Sequence, residues 1–287
     1  MSFRWINIYE LCLTNKNKTA MGKVFLLFFV VCFGLNLSAQ TMHTLIFINE
    51  EEAGRQTDRR ADMRKMKEFI TDVASRIGYR NDLRTHSGSE FTTQMVDSEL
   101  NSLNVEFNDI VIFYYHGHGG NYSNNNAEIK WPNMSLLDKS LPHTDVQANL
   151  EEKCAPAKLV LCIADCCNSF VYKQNPQVNT METRFNDNIK KLFTGFSGQK
   201  FIMISASKPG QYGWSASTGS IFGDYFRGAI NYYSETTSNP TWENVLSKAQ
   251  YDTKSHNARG GHVSEPQYEI FNKSQRQPQV HSGEIKW

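Results

Sequence analysis

At 287 residues, the chain is long enough for one large domain or two small ones. Its 40% hydrophobic and 21% charged residues match ordinary globular usage and exclude a collagen-like or largely disordered chain. Thirty Lys and Arg against 29 Asp and Glu leave a net charge of +1, so the chain lacks the basic excess that marks a nucleic-acid binder or a protein held to an anionic membrane surface.

The first segment does not read as part of a fold. Lys16, Lys18 and Lys23 precede the apolar run Val24–Gly34, and polar or small residues follow at 35–40. That order predicts a secretory signal peptide over residues 1–39, cut after Ala39, with Met21 as an alternative start. The run is shorter than the roughly 20 residues a membrane-spanning helix needs. The remaining chain, 40–287, is expected to be exported, either periplasmic or secreted, with no stable membrane span. It keeps four of the six cysteines: Cys154, Cys162, Cys166 and Cys167. Three of them crowd into 162–167 and no metal-ligand spacing appears, which favours a reactive thiol over a disulfide framework.

The elements follow in order. Thr44–Asn49 is a short apolar run, expected to be a buried strand. Met63, Met66, Ile70, Val73 and Ile77 recur at steps of three and four, one face of a helix, with Asp58 as N-cap and Gly78 as stop. A weaker strand is expected over 79–85 and a helix over 92–103. Ile110–Tyr115 (IVIFYY) predicts a buried strand that ends abruptly at His116-Gly117-His118-Gly119-Gly120. Residues 120–143 read as a loop region with a hairpin, and 145–153 as a helix. Leu159–Ala164 (LVLCIA) predicts another buried strand, ending at Asp165-Cys166-Cys167-Asn168-Ser169. Residues 171–199 read as a mobile internal linker with one short helix. A strand at 201–205, helices at 220–233 and 242–253, and a last strand at 267–271 complete the pattern.

Strands alternating with helices imply a mainly parallel sheet covered on both faces, with sites beyond the carboxyl ends of the strands. Two polar clusters stand at such ends, one with His118 and one with Cys167. A catalytic thiol needs a base within reach, exposure, and donors for the oxyanion that develops. Cys167 and His118 meet the first two requirements by position, and the glycines flanking His118 give a carbonyl close access to backbone N–H groups. Their separation of 49 residues agrees with the caspase spacing of about 50. No P-loop and no dinucleotide fingerprint is present.

At these residues the sequence resembles a known family. Phe113-Tyr114-Tyr115-His116-Gly117-His118-Gly119 is similar to the Tyr-Ser-Gly-His-Gly segment of metacaspases and related caspase-like cysteine peptidases. Asp165-Cys166-Cys167-Asn168-Ser169 is similar to their Asp-Ser-Cys-His-Ser segment, and residues 45–51 resemble the opening strand of caspases. The resemblance implies an α/β fold, a caspase-like three-layer sandwich with a mainly parallel central sheet and helices on both faces. It implies Cys167 as nucleophile, His118 as general base and acid, and the N–H groups of Gly119 and Cys167 as oxyanion donors. It also places Asp165 and Asp62 as acidic walls of the S1 pocket, with His116 on its rim, and hence peptide or protein cleavage after Arg or Lys. His116, Asn168 and Phe170 depart from the family pattern; His116 is a second candidate base and Cys166 a rival nucleophile. Arg59 and Arg60 are read as surface charges, with an acid-binding P1 pocket as their alternative role. No metal or other cofactor is expected. Metacaspases often respond to calcium, which leaves calcium activation open, but no EF-hand loop occurs. Cleavage within 171–199, after Lys173, Arg184, Lys190 or Lys191, is expected if the enzyme processes itself. The alternative function is a caspase-like domain that binds a partner without catalysis.

Overall fold

The computed structural model describes residues 39–121, 130–169 and 188–272; the expected leader, Phe170 and most of the 171–199 segment lie outside them. The described elements are, in order, β1 (Thr41–Ile48), α1 (Gln56–Ile77), β2 (Arg80–His86), a short 3-10 turn (Gly88–Glu90), α2 (Thr93–Ser102), β3 (Ile110–His116), β4 (Gly119–Gly120), β5 (Asn133–Ser135), β6 (Ser140–Pro142), α3 (His143–Lys153), β7 (Leu159–Asp165), α4 (Asn188–Thr194), β8 (Lys200–Ser205), β9 (Ser215–Ala216), β10 (Gly219–Ser220), α5 (Ile221–Thr236), α6 (Trp242–Arg259) and β11 (Gln267–Asn272).

Six strands form one sheet in the order β11-β8-β7-β3-β1-β2, parallel except for β11, which runs antiparallel beside β8. Strands β1, β3 and β7 are buried along their whole length, as their continuous apolar runs predict for a sheet covered on both faces. Side chains alternate between the two layers. Ile112, Tyr114, Leu161 and Ile163 join α1, α4, α5 and α6 in one core. Phe113, Tyr115, Cys162 and Ala164 join α2 and α3 in the other. The three-layer α/β architecture expected from the sequence is the one observed.

Several boundaries differ. α1 starts at Gln56, two residues before the expected N-cap; Asp58 sits inside the first turn, 3.2 Å from the guanidinium of Arg55, where a carboxylate is favoured by the helix dipole. Thr92 and Thr241 do cap α2 and α6 with their side chains. The expected loop at 120–143 holds a three-stranded antiparallel sheet, β4-β5-β6, among its described residues. The short helix expected within 171–199 is α4, which buries Ile189, Leu192 and Phe193, apolar positions that three- and four-residue steps place on one helical face. Among the described residues no helix is long and apolar enough to cross a membrane.

Candidate active site

The pairing of β3 with β7 sets His116 opposite Asp165 on the last rung of both strands. Two residues beyond that rung come His118 on one side and Cys167 on the other. Neighbouring strands lie about 4.8 Å apart, so the two loops leave the sheet side by side. The Gly117 N–H donates to the Asp165 carbonyl at 3.3 Å and keeps them together. Gly119 fits because it lacks a side chain: a Cβ there would stand 2.5 Å from Cys166 Sγ and 2.8 Å from the Asn133 carbonyl oxygen. On the far side, Asn168 N–H donates to Gln211 O at 2.9 Å and Gly210 N–H to Asn168 O at 2.8 Å, so the loop before β9 runs along the cysteine segment. A Cβ at Gly213 would meet the Cys166 carbonyl at 2.8 Å. Asn168, one of the departures from the family pattern, is buried, and its amide donates to the carbonyls of Lys130 and Ser207.

The two neighbouring cysteines differ in setting. Cys166 is buried against Gly119, and burial pushes its thiol well above the ordinary value. Cys167 is half-buried, with its thiol donating to the Gly213 carbonyl at 3.6 Å. Burial raises its pKa too, but the positive charges of Arg59 and Arg55 oppose the rise. The His118 side chain is 45% exposed, and its Nε2 lies 2.6 Å from Glu52 Oε1. The other Glu52 oxygen accepts from Arg59 Nε at 3.2 Å. Burial by itself would raise Glu52; the His118 hydrogen bond and the Arg59 charge outweigh it and hold the carboxyl at about 2.

Asp62, Asp165 and His116 come together behind this pair. Tyr114 Oη is 2.7 Å from Asp62 Oδ2 and 2.8 Å from Asp165 Oδ2. His116 Nδ1 is 2.8 Å from Asp62 Oδ2, and its Nε2 is 3.2 Å from Ser215 Oγ on β9. Arg227 on α5 reaches Asp62 at 3.3 Å and Asp224 at 2.7 Å. A phenol has one proton, so Tyr114 donates to one carboxylate at a time. The environment pushes the two acids apart. Burial raises both, but for Asp62 the charges of His116 and Arg227 prevail and lower it, whereas Asp165 stays raised. His116 is therefore a buried member of the acid cluster, while His118 is the accessible ring. The whole cluster is covered: Asp62, His116 and Asp165 are 0%, 2% and 3% exposed.

Sequence reading missed Glu52, Tyr114 and Arg227, because their roles come from contacts across the fold rather than from a motif. It also placed Arg59 on the surface; the structure buries it at 1% exposure on the inner side of α1, and only Arg60 is exposed. A second Cys/His pair went unread as well. His143 Nε2, at the start of α3, lies 3.2 Å from Cys162 Sγ in mid-strand β7. Both are fully buried; burial drives His143 down to about 3 and the Cys162 thiol well up, so each is neutral and out of reach of solvent. All four described cysteines are free thiols, and among the described residues no cluster of three or more His, Cys, Asp or Glu side chains is placed to hold a metal ion.

The family whose model matches the chain is the caspase domain, over residues 43–283. Among solved structures, the chain is similar to the protein GSU0716 of Geobacter sulfurreducens, at 14% identity over 80% of this chain and 92% of that one, with a TM-score of 0.48. It is also similar to caspase-1 of Spodoptera frugiperda, at 10% identity over 83% and 88%, with a TM-score of 0.46. No curated protein sequence matches.

Proposed function

Because the chain belongs to the caspase domain family, whose members are cysteine hydrolases, we propose that it is an exported cysteine endopeptidase with Cys167 as nucleophile and His118 as general base and acid. The observation that carries this reading is the shared last rung of β3 and β7, from which the two residues emerge side by side. In the reaction, His118 takes the Cys167 thiol proton and the sulfur attacks the scissile carbonyl carbon. The N–H groups of Gly119 and Cys167 receive the oxyanion. His118 then gives the proton to the leaving amine as the C–N bond breaks, and a water molecule, deprotonated by His118, releases the acyl group. This chemistry requires no cofactor.

The same proposal extends to cleavage after Arg or Lys. Asp165, two residues before the nucleophile, accepts a hydrogen bond from Tyr114 but its pKa is raised by burial, and a cationic P1 side chain would supply the charge that restores its ionised form. Arg227 and His116 already serve Asp62. Because Asp62, His116 and Asp165 are covered, this reading requires their cluster to open to a P1 side chain. Self-processing after Lys173 or Arg184 belongs to this reading; both lie outside the described residues. Lys190 and Lys191 sit in α4, whose buried face opposes the extended conformation that a protease cleft takes. The competing reading, a partner-binding domain without catalysis, draws on the thiol of Cys167 being raised by burial and donated to Gly213. A thiol-reactive probe with a basic P1 residue separates the two. Labelling lost in Cys167→Ala and kept in Cys166→Ala supports the peptidase, and no labelling of the folded wild type removes it.

A further inference from the structure

Beyond the Cys/His dyad, a third group engages the histidine. β1 ends at Ile48, and the turn that follows is pinned by Glu52 N–H donating to Asn49 O at 3.2 Å and Arg55 N–H donating to Glu52 O at 3.0 Å. This fixes the Glu52 backbone at the same sheet end as His118. One carboxylate oxygen stands 2.6 Å from His118 Nε2, and the other accepts from Arg59, a buried guanidinium on α1. A contact of that length between a ring nitrogen and a carboxylate is a charge-assisted hydrogen bond. An ionised carboxylate only accepts, so Nε2 must carry the proton of this bond. In the neutral ring, the lone pair then belongs to Nδ1.

We propose that Glu52, clamped by Arg59, is the positioning residue of the active site: it fixes the tautomer and orientation of His118 so that Nδ1 is the nitrogen that takes the Cys167 proton. This rests on the peptidase reading for the identity of the base, and it extends the dyad to a chain Arg59–Glu52–His118–Cys167. The logic is that of any nucleophile and base whose base is oriented by a third group. The proton goes from sulfur to Nδ1 and no other bond changes in this step.

The test compares wild type, Glu52→Gln, Glu52→Asp, His118→Ala and the His118→Ala/Glu52→Gln double variant in two assays: hydrolysis of an Arg-P1 peptide, and alkylation of Cys167 by iodoacetamide, which needs no peptide substrate. Glu52→Gln is expected to lower kcat roughly tenfold, a fraction of the ~10²–10⁴ that a positioned base supplies, with KM within about twofold. Alkylation should slow by a similar factor, Glu52→Asp should retain more of both rates than Glu52→Gln, and in the His118→Ala background Glu52→Gln should change alkylation no further. A Glu52→Gln variant as fast as wild type overturns the proposal. So does a faster one, because the carboxylate then restrains the histidine instead of orienting it. An equal slowing with and without His118 also overturns it, since the effect then bypasses the ring. If Glu52→Gln melts well below wild type, Glu52→Asp, which keeps a carboxylate for Arg59, carries the same comparison, and a loss confined to KM counts against positioning. Slowed alkylation without cleavage of any peptide would leave the positioning role standing and remove the peptidase reading; peptide cleavage indifferent to Glu52 would do the reverse.

Discussion

Two cysteines of β7 and its continuation are each matched with a histidine in this fold, and the settings of the two pairs differ in burial and in the charges beside them. Cys162 lies in the middle of β7 and meets His143 at 3.2 Å inside the α2–α3 side of the core. Cys167 stands two residues past the end of the same strand, beside the loop that carries His118. The buried pair is in hydrogen-bond contact, yet its chemistry is shut off. Burial holds His143 neutral down to about pH 3 and keeps the Cys162 thiol protonated, so neither can form the thiolate and imidazolium that a nucleophile requires. The outer pair has solvent access, arginine charges that oppose the thiol's rise, and a carboxylate on its histidine. A thiol matched with an imidazole is thus a packing fact in one place and, in the proposed peptidase reading, the basis of a reaction in the other; what separates them is whether charge can form.

The comparison can be broken most directly by deleting each thiol. Cys167→Ala is expected to abolish both peptide hydrolysis and active-site labelling, whereas Cys162→Ala should retain labelling at near wild-type extent. A folded Cys162→Ala protein that no longer labels, as judged by intact mass after probe treatment, would reverse the assignment. The histidines come next. His118→Ala should slow turnover by about 10²–10⁴, the contribution of a positioned general base. His143→Ala should leave kcat largely unchanged while lowering the melting temperature, which calorimetry beside steady-state kinetics would show.

Acid should act on the buried pair through stability. The folded-state value of His143 is about 3 against an ordinary 6.5, so the unfolded chain takes up this proton first. The associated stability is therefore full above pH 6.5 and is lost as the pH falls from 6.5 towards 3, by on the order of 5 kcal/mol over the window. Urea melts between pH 7 and 4 should show this loss in wild type and a flatter profile in His143→Gln; parallel profiles would mean that His143 is not the group responsible. The outer pair has a neighbouring acid cluster that the inner pair lacks, and there Asp165→Asn should cost about 2–5 kcal/mol of preference for Arg over a neutral P1 residue. A matched peptide series differing only at P1 reads this out, and an unchanged preference would take Asp165 out of the pocket. The smallest effect is expected from the inner thiol itself: Cys162→Ala leaves His143 without its partner and should lower stability by about 1–3 kcal/mol in the same urea melts.

Much of the architecture is legible in the sequence, and for a reason specific to these strands. Residues 110–115 and 159–164 are apolar at every position, which only a strand covered on both faces tolerates, and such strands belong to parallel sheets. The abrupt change to His-Gly-His-Gly and Asp-Cys-Cys marked where those strands stop. Less was legible in the segments with mixed composition. In the region read as loop with a hairpin, β5 and β6 form an antiparallel hairpin, but its pairing with β4 is not legible because these strands are two and three residues long and are held by tertiary pairing. The short helix expected within 171–199 is α4, but its three buried apolar residues are too few to have fixed its place among their polar surroundings.

The order of strands and helices along the chain, the layered class, and the two loops that carry a thiol and an imidazole follow from hydrophobic periodicity and glycine placement, which are local properties of the chain. Which charges face one another is set by how the chain folds. Nothing local ties Glu52 to His118, Arg227 to Asp62, or Tyr114 to both Asp62 and Asp165; those contacts span up to 165 positions and exist because the sheet register and the helix packing bring the groups together. The same is true of Cys162 and His143, whose residue types alone would suit an active site. Burial, a property of the whole fold, keeps them neutral, whereas Cys167, five residues further along the chain, is only partly buried.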